Sequence, residues 1–177
     1  MLVPAICKKD ELTIAFDKLR YSDKIMLYNG TIEDARFYCY GTGDSDWTFG
    51  RFQYAICDNE ENLIGYVAYT IDYYSSSCYN FGLMSFLDEP SPYITSAIRE
   101  IISNIKKQNL HRIEFRAIEG NPITKSYDKF VEYFGKNGYK ATKHILTDCF
   151  KDRYGRYRDD YIYEFVKDCT YFAFGEF

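Results

Sequence analysis

The stretch Ser91-Pro-Tyr-Ile-Thr-Ser-Ala-Ile-Arg-Glu-Ile-Ile-Ser-Asn-Ile-Lys-Lys-Gln-Asn-Leu-His111-Arg-Ile-Glu-Phe-Arg-Ala117 decides the fold. Within it Ile94, Ala97, Ile98, Ile101, Ile102 and Ile105 recur at i, i+3, i+4, i+7, i+8 and i+11, one stripe of an amphipathic helix. Ser91 offers a side-chain oxygen as N-cap. Pro92 suits the first helical position, where no N–H is needed. From His111 to Ala117 polar and apolar residues alternate, the period of a strand with one buried face. Ahead of the helix, Tyr79 to Phe86 (Tyr-Asn-Phe-Gly-Leu-Met-Ser-Phe) also reads as a strand. Strand, helix and strand in this order imply two parallel strands joined by a right-handed crossover.

Working outward toward the N-terminus, Phe52 to Asp58 and Leu63 to Tyr73 are β-prone and flank the turn Asn59-Glu-Glu-Asn62, so they form an antiparallel hairpin. Ser75-Ser-Ser77 breaks the second strand. Gly82, inside the next one, marks a bulge or a close backbone approach. Leu12, Ala15, Phe16 and Leu19 predict a first helix over Lys9 to Leu19, and a short helix is expected near Thr31 to Tyr38, followed by a loop. Toward the C-terminus, Gly120-Asn-Pro122 opens a further helix, with Asn121 as cap and Pro122 at the start. Its apolar face is Ile123, Tyr127, Phe130, Val131 and Phe134, and Gly135 and Gly138 end it. Two strands follow, Lys140 to Phe150 and Arg158 to Lys167, turning at Tyr154-Gly155. The aromatic tail Cys169 to Phe177 is expected to pack back on the domain.

With 177 residues the chain is read as a single mixed α/β domain over 1–177, a helical part over 1–50 followed by the central sheet, helices and hairpin over 51–177. Aromatic residues at 19% exclude a disordered chain. A net charge of −4 argues against sequence-independent nucleic-acid binding, which needs phosphate neutralisation. The six cysteines (Cys7, Cys39, Cys57, Cys78, Cys149, Cys169) form no C-x-x-C pair, and the two histidines, His111 and His144, stand far apart. No metal site is expected, and the thiols read as buried or half-buried in a reducing, cytoplasmic setting. Met1 to Cys7 is too short for the apolar core of a signal peptide, and no run reaches the length of a membrane helix. The tyrosines suit either a core or a homodimer interface.

Helix, helix, antiparallel hairpin, strand, helix, parallel strand, helix, final hairpin: this order resembles the GNAT N-acetyltransferase fold, a mostly antiparallel sheet with one parallel pair, over nearly the whole chain. Asn121-Pro-Ile-Thr-Lys-Ser-Tyr-Asp-Lys-Phe130, closing at Gly138-Tyr139, is similar to that superfamily's second helix motif, with Tyr127 one residue nearer Asn121 than usual. Tyr79 to Phe86 and Asp160-Tyr-Ile-Tyr-Glu164 resemble runs in small bacterial GNAT-like proteins. The resemblance implies that acetyl-CoA enters where the parallel strands splay. Backbone at Gly82, Leu83 and Met84 would hold the pantetheine arm, with Asn121 joining the cofactor contacts. Tyr127 would protonate the departing thiolate; ordinary packing in the apolar stripe explains the same residue equally well. One segment departs from the family. Where it shows Gln or Arg, two residues and then Gly-x-Gly or Gly-x-Ala, this chain has Leu87-Asp-Glu-Pro-Ser-Pro92. Glycine is missing, Pro90 and Pro92 carry no N–H, and Asp88 and Glu89 bring negative charge, leaving Ser91, Thr95 and the remaining amides of the helix start for an anion.

Two functions follow from the resemblance. One is acetyl transfer from acetyl-CoA to a primary amine of a small molecule or peptide, with Glu114 or Asp72 as candidate bases. The other is a GNAT-shaped binding or regulatory protein without catalysis. Asp44, Asp46 and Trp47 would receive a cationic acceptor by charge and cation–π attraction, or form an aromatic minicore. Lys151 to Arg158, basic and aromatic, reads best as a solvated hairpin with cross-strand charge pairs rather than a nucleic-acid patch.

Overall fold

The β-prone runs become neighbouring strands because each carries one apolar face that helices can cover on either side of a shared sheet. In the structure, a computed structural model that describes residues 1–27 and 49–167, the elements are β1 (Leu2–Pro4), α1 (Lys9–Arg20), β2 (Phe49–Cys57), β3 (Leu63–Asp72), β4 (Ser77–Ser85), α2 (Pro92–Lys107), β5 (Arg112–Ile118), α3 (Thr124–Gly135), β6 (Tyr139–Lys151) and β7 (Tyr157–Lys167). They build one seven-stranded sheet in the order β1-β2-β3-β4-β5-β7-β6. Only β4 and β5 run parallel among these neighbours. The expected helix near Thr31 to Tyr38 and the tail Cys169 to Phe177 lie outside the described residues. β1 went unrecognised in the sequence. Three residues carry no periodic signal, and its pairing with β2 depends on a strand far along the chain, Leu2 meeting Ile56 and Pro4 meeting Tyr54.

All six residues of the isoleucine-rich stripe on α2 are buried. They join Tyr127 and Phe134 of α3 and the inward side chains of β3, β4, β5 and β7 in the larger core. Each buried Ile contributes roughly 2 kcal/mol of apolar burial. Gly65 on β3 lets α2 approach this closely. A Cβ there would stand 2.7 Å from the Met84 carbonyl oxygen and 2.7 Å from Ile94 Cδ1. The opposite face of β2, β3 and β4 is covered by Leu12, Phe16 and Leu19 of α1, which pack on Ala55, Cys57, Tyr66, Ala68 and Met84.

Four expectations need correction. The bulge in β4 is not at Gly82. It falls at Asn80, which has φ 51° and inserts one extra residue against both neighbours: the pairing moves from Cys78↔Ile113 to Phe81↔Phe115 on one side and from Thr70↔Tyr79 to Ala68↔Gly82 on the other. Asparagine tolerates this left-handed conformation better than most residues. The helix expected from Pro122 begins at Thr124, because Asn121 first closes its own turn, its side-chain oxygen accepting from the Ile123 N–H at 3.0 Å. The charges of the Lys151 to Arg158 hairpin meet inside the turn rather than across the strands. Asp152, only 6% exposed, accepts from the Tyr154 and Arg156 N–H groups and pairs with the Arg156 and Arg158 guanidinium groups. Cys57 and Cys78 are buried, but Cys7 and Cys149 are exposed. No helix of the described residues is long and apolar enough to cross a membrane.

Candidate active site

The Asn80 bulge creates the site. β4 and β5 pair at Ser77↔Arg112, Cys78↔Ile113 and Phe81↔Phe115, and their register goes no further. Beyond Phe81, the backbone of Gly82, Leu83 and Met84 has a strand partner only on its β3 side among the described residues. A bulge bends its strand and ends pairing in this way. The fork opens a cavity of about 810 Å³, lined by residues from both faces of the sheet.

Gly82, Leu83 and Met84, the three residues expected to hold a pantetheine arm, all line this cavity. A Cβ placed on Gly82 would meet no atom of the described residues within 4 Å. The missing side chain therefore leaves room inside the slot, where a larger residue would fill it.

Tyr127 lines the same cavity from α3 and is 1% exposed. Its ring stacks on Phe115 at 5.3 Å and meets Phe81 edge-on at 6.2 Å, so it sits over the last paired rung before the fork. Burial, and then the neighbouring Tyr163 hydroxyl, push its phenol well above the usual tyrosine range. A group shifted that way stays protonated and donates a hydrogen bond. The ring belongs to the core, and the residue also borders the cavity.

Asn121 also lines the cavity, but its side chain is engaged. The amide nitrogen donates to the Leu27 carbonyl at 2.8 Å while the oxygen caps Ile123. It anchors the segment after α1 to the mouth of the slot. Glu114 projects from β5 between two arginines, accepting from Arg112 at 2.8 Å and from Arg116 at 2.9 Å. Arg112 continues to Glu164 at 2.7 Å, and His144 reaches the same carboxylate at 3.2 Å. Asp72 is committed to the turn after β3. It accepts from the Tyr74 and Ser75 N–H groups and from the Ser75 hydroxyl, which, with those amides, holds its carboxyl below the usual range. Of the two candidate bases, Glu114 lies on the strand at the fork, and Asp72 is the more fully bonded.

Ser91 and Thr95 are not among the residues lining the cavity, and both hydroxyls serve the start of α2. The Ser91 oxygen accepts from the Tyr93 N–H at 3.2 Å, and the Thr95 hydroxyl donates to the Ser91 carbonyl at 3.3 Å. Asp44, Asp46 and Trp47 lie outside the described residues. Sequence reasoning missed Arg112 and Arg116, although their alternation with Glu114 was legible as one face of a strand. Arg51 and Leu27, which also line the cavity, carried no local signal.

No family model matches the sequence, and no curated protein is similar to it. Solved structures are. A probable acetyltransferase of the GNAT family from Chromobacterium violaceum superposes with a TM-score of 0.59 at 15% identity, covering 94% of this chain and 85% of its own. A mutant of spermidine N-acetyltransferase from Vibrio cholerae superposes with a TM-score of 0.56 at 18% identity, covering 94% and 93%. The chain has the GNAT acetyltransferase fold.

Proposed function

We propose that the chain is an N-acetyltransferase that moves an acetyl group from acetyl-CoA to a primary amine. The observation that carries the reading is the forked β4–β5 pair, with an open glycine on one wall and Tyr127 on another. The fork suits a narrow thioester arm that uses strand amides as partners. Residues 1–177 would act as one domain, with Asp44, Asp46 and Trp47 on the acceptor side.

In the transfer, the neutral amine nitrogen attacks the thioester carbonyl. A C–N bond forms, the C–S bond breaks, and the proton lost by nitrogen ends on the sulfur or in solvent. Tyr127 is the donor that faces the departing thiolate. A thiol with an ordinary pKa near ~8.5 is a stronger acid than the buried phenol, so the phenol keeps its proton and stabilises the thiolate by hydrogen bonding. This differs from full protonation by Tyr127, the role implied by the family resemblance. Glu114, held by two guanidinium groups, would orient the incoming nitrogen or its water.

Steady-state acetylation of a panel of small amines and peptides tests the proposal. Tyr127→Phe is expected to lower kcat about 10- to 100-fold, in the range for one lost donor to a developing anion, and to leave CoA affinity nearly unchanged. Unaltered kcat would remove Tyr127 from the chemistry. CoA binding without transfer to any amine would favour the non-catalytic alternative.

A further inference from the structure

The segment joining β4 to α2 follows directly on the strand that carries the fork, and its hydrogen-bond donors can be counted. The Phe86 N–H donates to the Ile64 carbonyl, and the Leu87 N–H to the Ser85 hydroxyl. Pro90 and Pro92 have none. The Tyr93 N–H is taken by the Ser91 side chain and the Thr95 N–H by the Ser91 carbonyl. The amides left over between Phe86 and Thr95 are those of Asp88, Glu89, Ser91 and Ile94, two of them on acidic residues. Lys24 is the cation that contacts this segment among the described residues. It is spent there, with Asp88 at 2.6 Å and the Leu87 carbonyl at 2.9 Å. A helix start binds a phosphate through free N–H groups and a favourable field. Here most N–H groups are occupied or missing, and two carboxylates oppose the field.

The fork is the opposite case. Its strand edge is open beside Gly82, and the cavity is large enough for an extended thiol-bearing arm. We infer that the site recognises its acyl donor through the pantetheine thioester alone, with the nucleotide and its phosphates adding almost nothing to affinity. This rests on the acyltransfer reading above and narrows it: the donor class is any pantetheine thioester, whatever is attached beyond the arm.

Calorimetric titration of the wild-type chain with CoA, pantetheine and adenosine 3′,5′-bisphosphate, at physiological salt, separates the cases. The expected result is that CoA and pantetheine bind within tenfold of each other, about 1.4 kcal/mol, and that the bisphosphate does not bind. CoA binding more than tenfold tighter than pantetheine would overturn the inference and leave the acyltransfer reading standing; loss of that excess in Lys24→Ala would make Lys24 the phosphate partner. Failure of both CoA and pantetheine to bind would overturn the inference together with the reading beneath it.

Discussion

The two ends of the groove beside β4 are built on opposite plans. At the fork, backbone is left exposed: a bulge at Asn80 ends the pairing with β5, and Gly82 adds no side chain to the space that results. Ten residues on from Gly82, the start of α2 is closed. Ser91 caps it, prolines remove donors, and Lys24 pins Asp88. Unpaired polar backbone next to a cavity is costly unless something occupies it. The contrast teaches that one strand edge is left open to a partner while the helix start keeps most of its own polar groups bonded.

The largest effect that bears on this contrast is expected from Gly82→Val. A Cβ at this position meets no atom of the described residues within 4 Å, so the side chain enters the slot, and CoA binding should weaken by at least about a hundredfold, roughly 2.7 kcal/mol, while the melting temperature stays close to wild type. A variant that binds CoA normally would place the ligand elsewhere. Gly65→Ala tests the packing that holds the closed end. With the Met84 carbonyl and Ile94 both at 2.7 Å, overpacking should cost about 1–3 kcal/mol in chemical denaturation.

Asp160 gives a smaller, pH-dependent effect. It is 2% exposed, its Oδ1 has no hydrogen-bond partner, and Arg116 stands 3.8 Å from its other oxygen. Burial raises its pKa above the unfolded value, so the folded state holds the proton more tightly. Stability from this group is therefore fully present at acid pH, below the unfolded carboxylate range, and is lost as pH rises through the folded pKa. Asp160→Asn should gain about 1 kcal/mol at pH 7, with the gain shrinking as pH falls toward ~4, read as the difference between two melting curves. A gain that does not change with pH would show that charge is not the cause. The smallest change is expected from Asp88→Asn. Removing one exposed negative charge from the closed end should alter CoA affinity by no more than about threefold, and less at high salt.

The scaffold was legible because its signals are local. The α2 stripe, the Ser91 cap, the alternation over β5 and the turn at Gly155 each fit within a few residues of their element, and each stands where expected. The candidate site was legible only through the family resemblance, which pointed to Gly82, Tyr127 and a splay between the parallel strands but not to the bulge that opens it. That fork depends on a register shift shared by three strands, which no single stretch encodes, and glycine drew attention two residues past the asparagine that makes it. Glu114 read as a candidate base. Arg112 and Arg116 were in plain view, yet that they turn inward on Glu114 is decided by the neighbouring strand β7 and its Glu164.

The most direct measurement is to follow the backbone amides of Gly82, Leu83 and Met84 by NMR as acetyl-CoA is added. Saturable shifts centred on these three residues and on Tyr127, absent in Gly82→Val, are expected. No shift on β4 by about 10 mM ligand, where binding falls below about 3 kcal/mol, would contradict the claim that the fork is a thioester site.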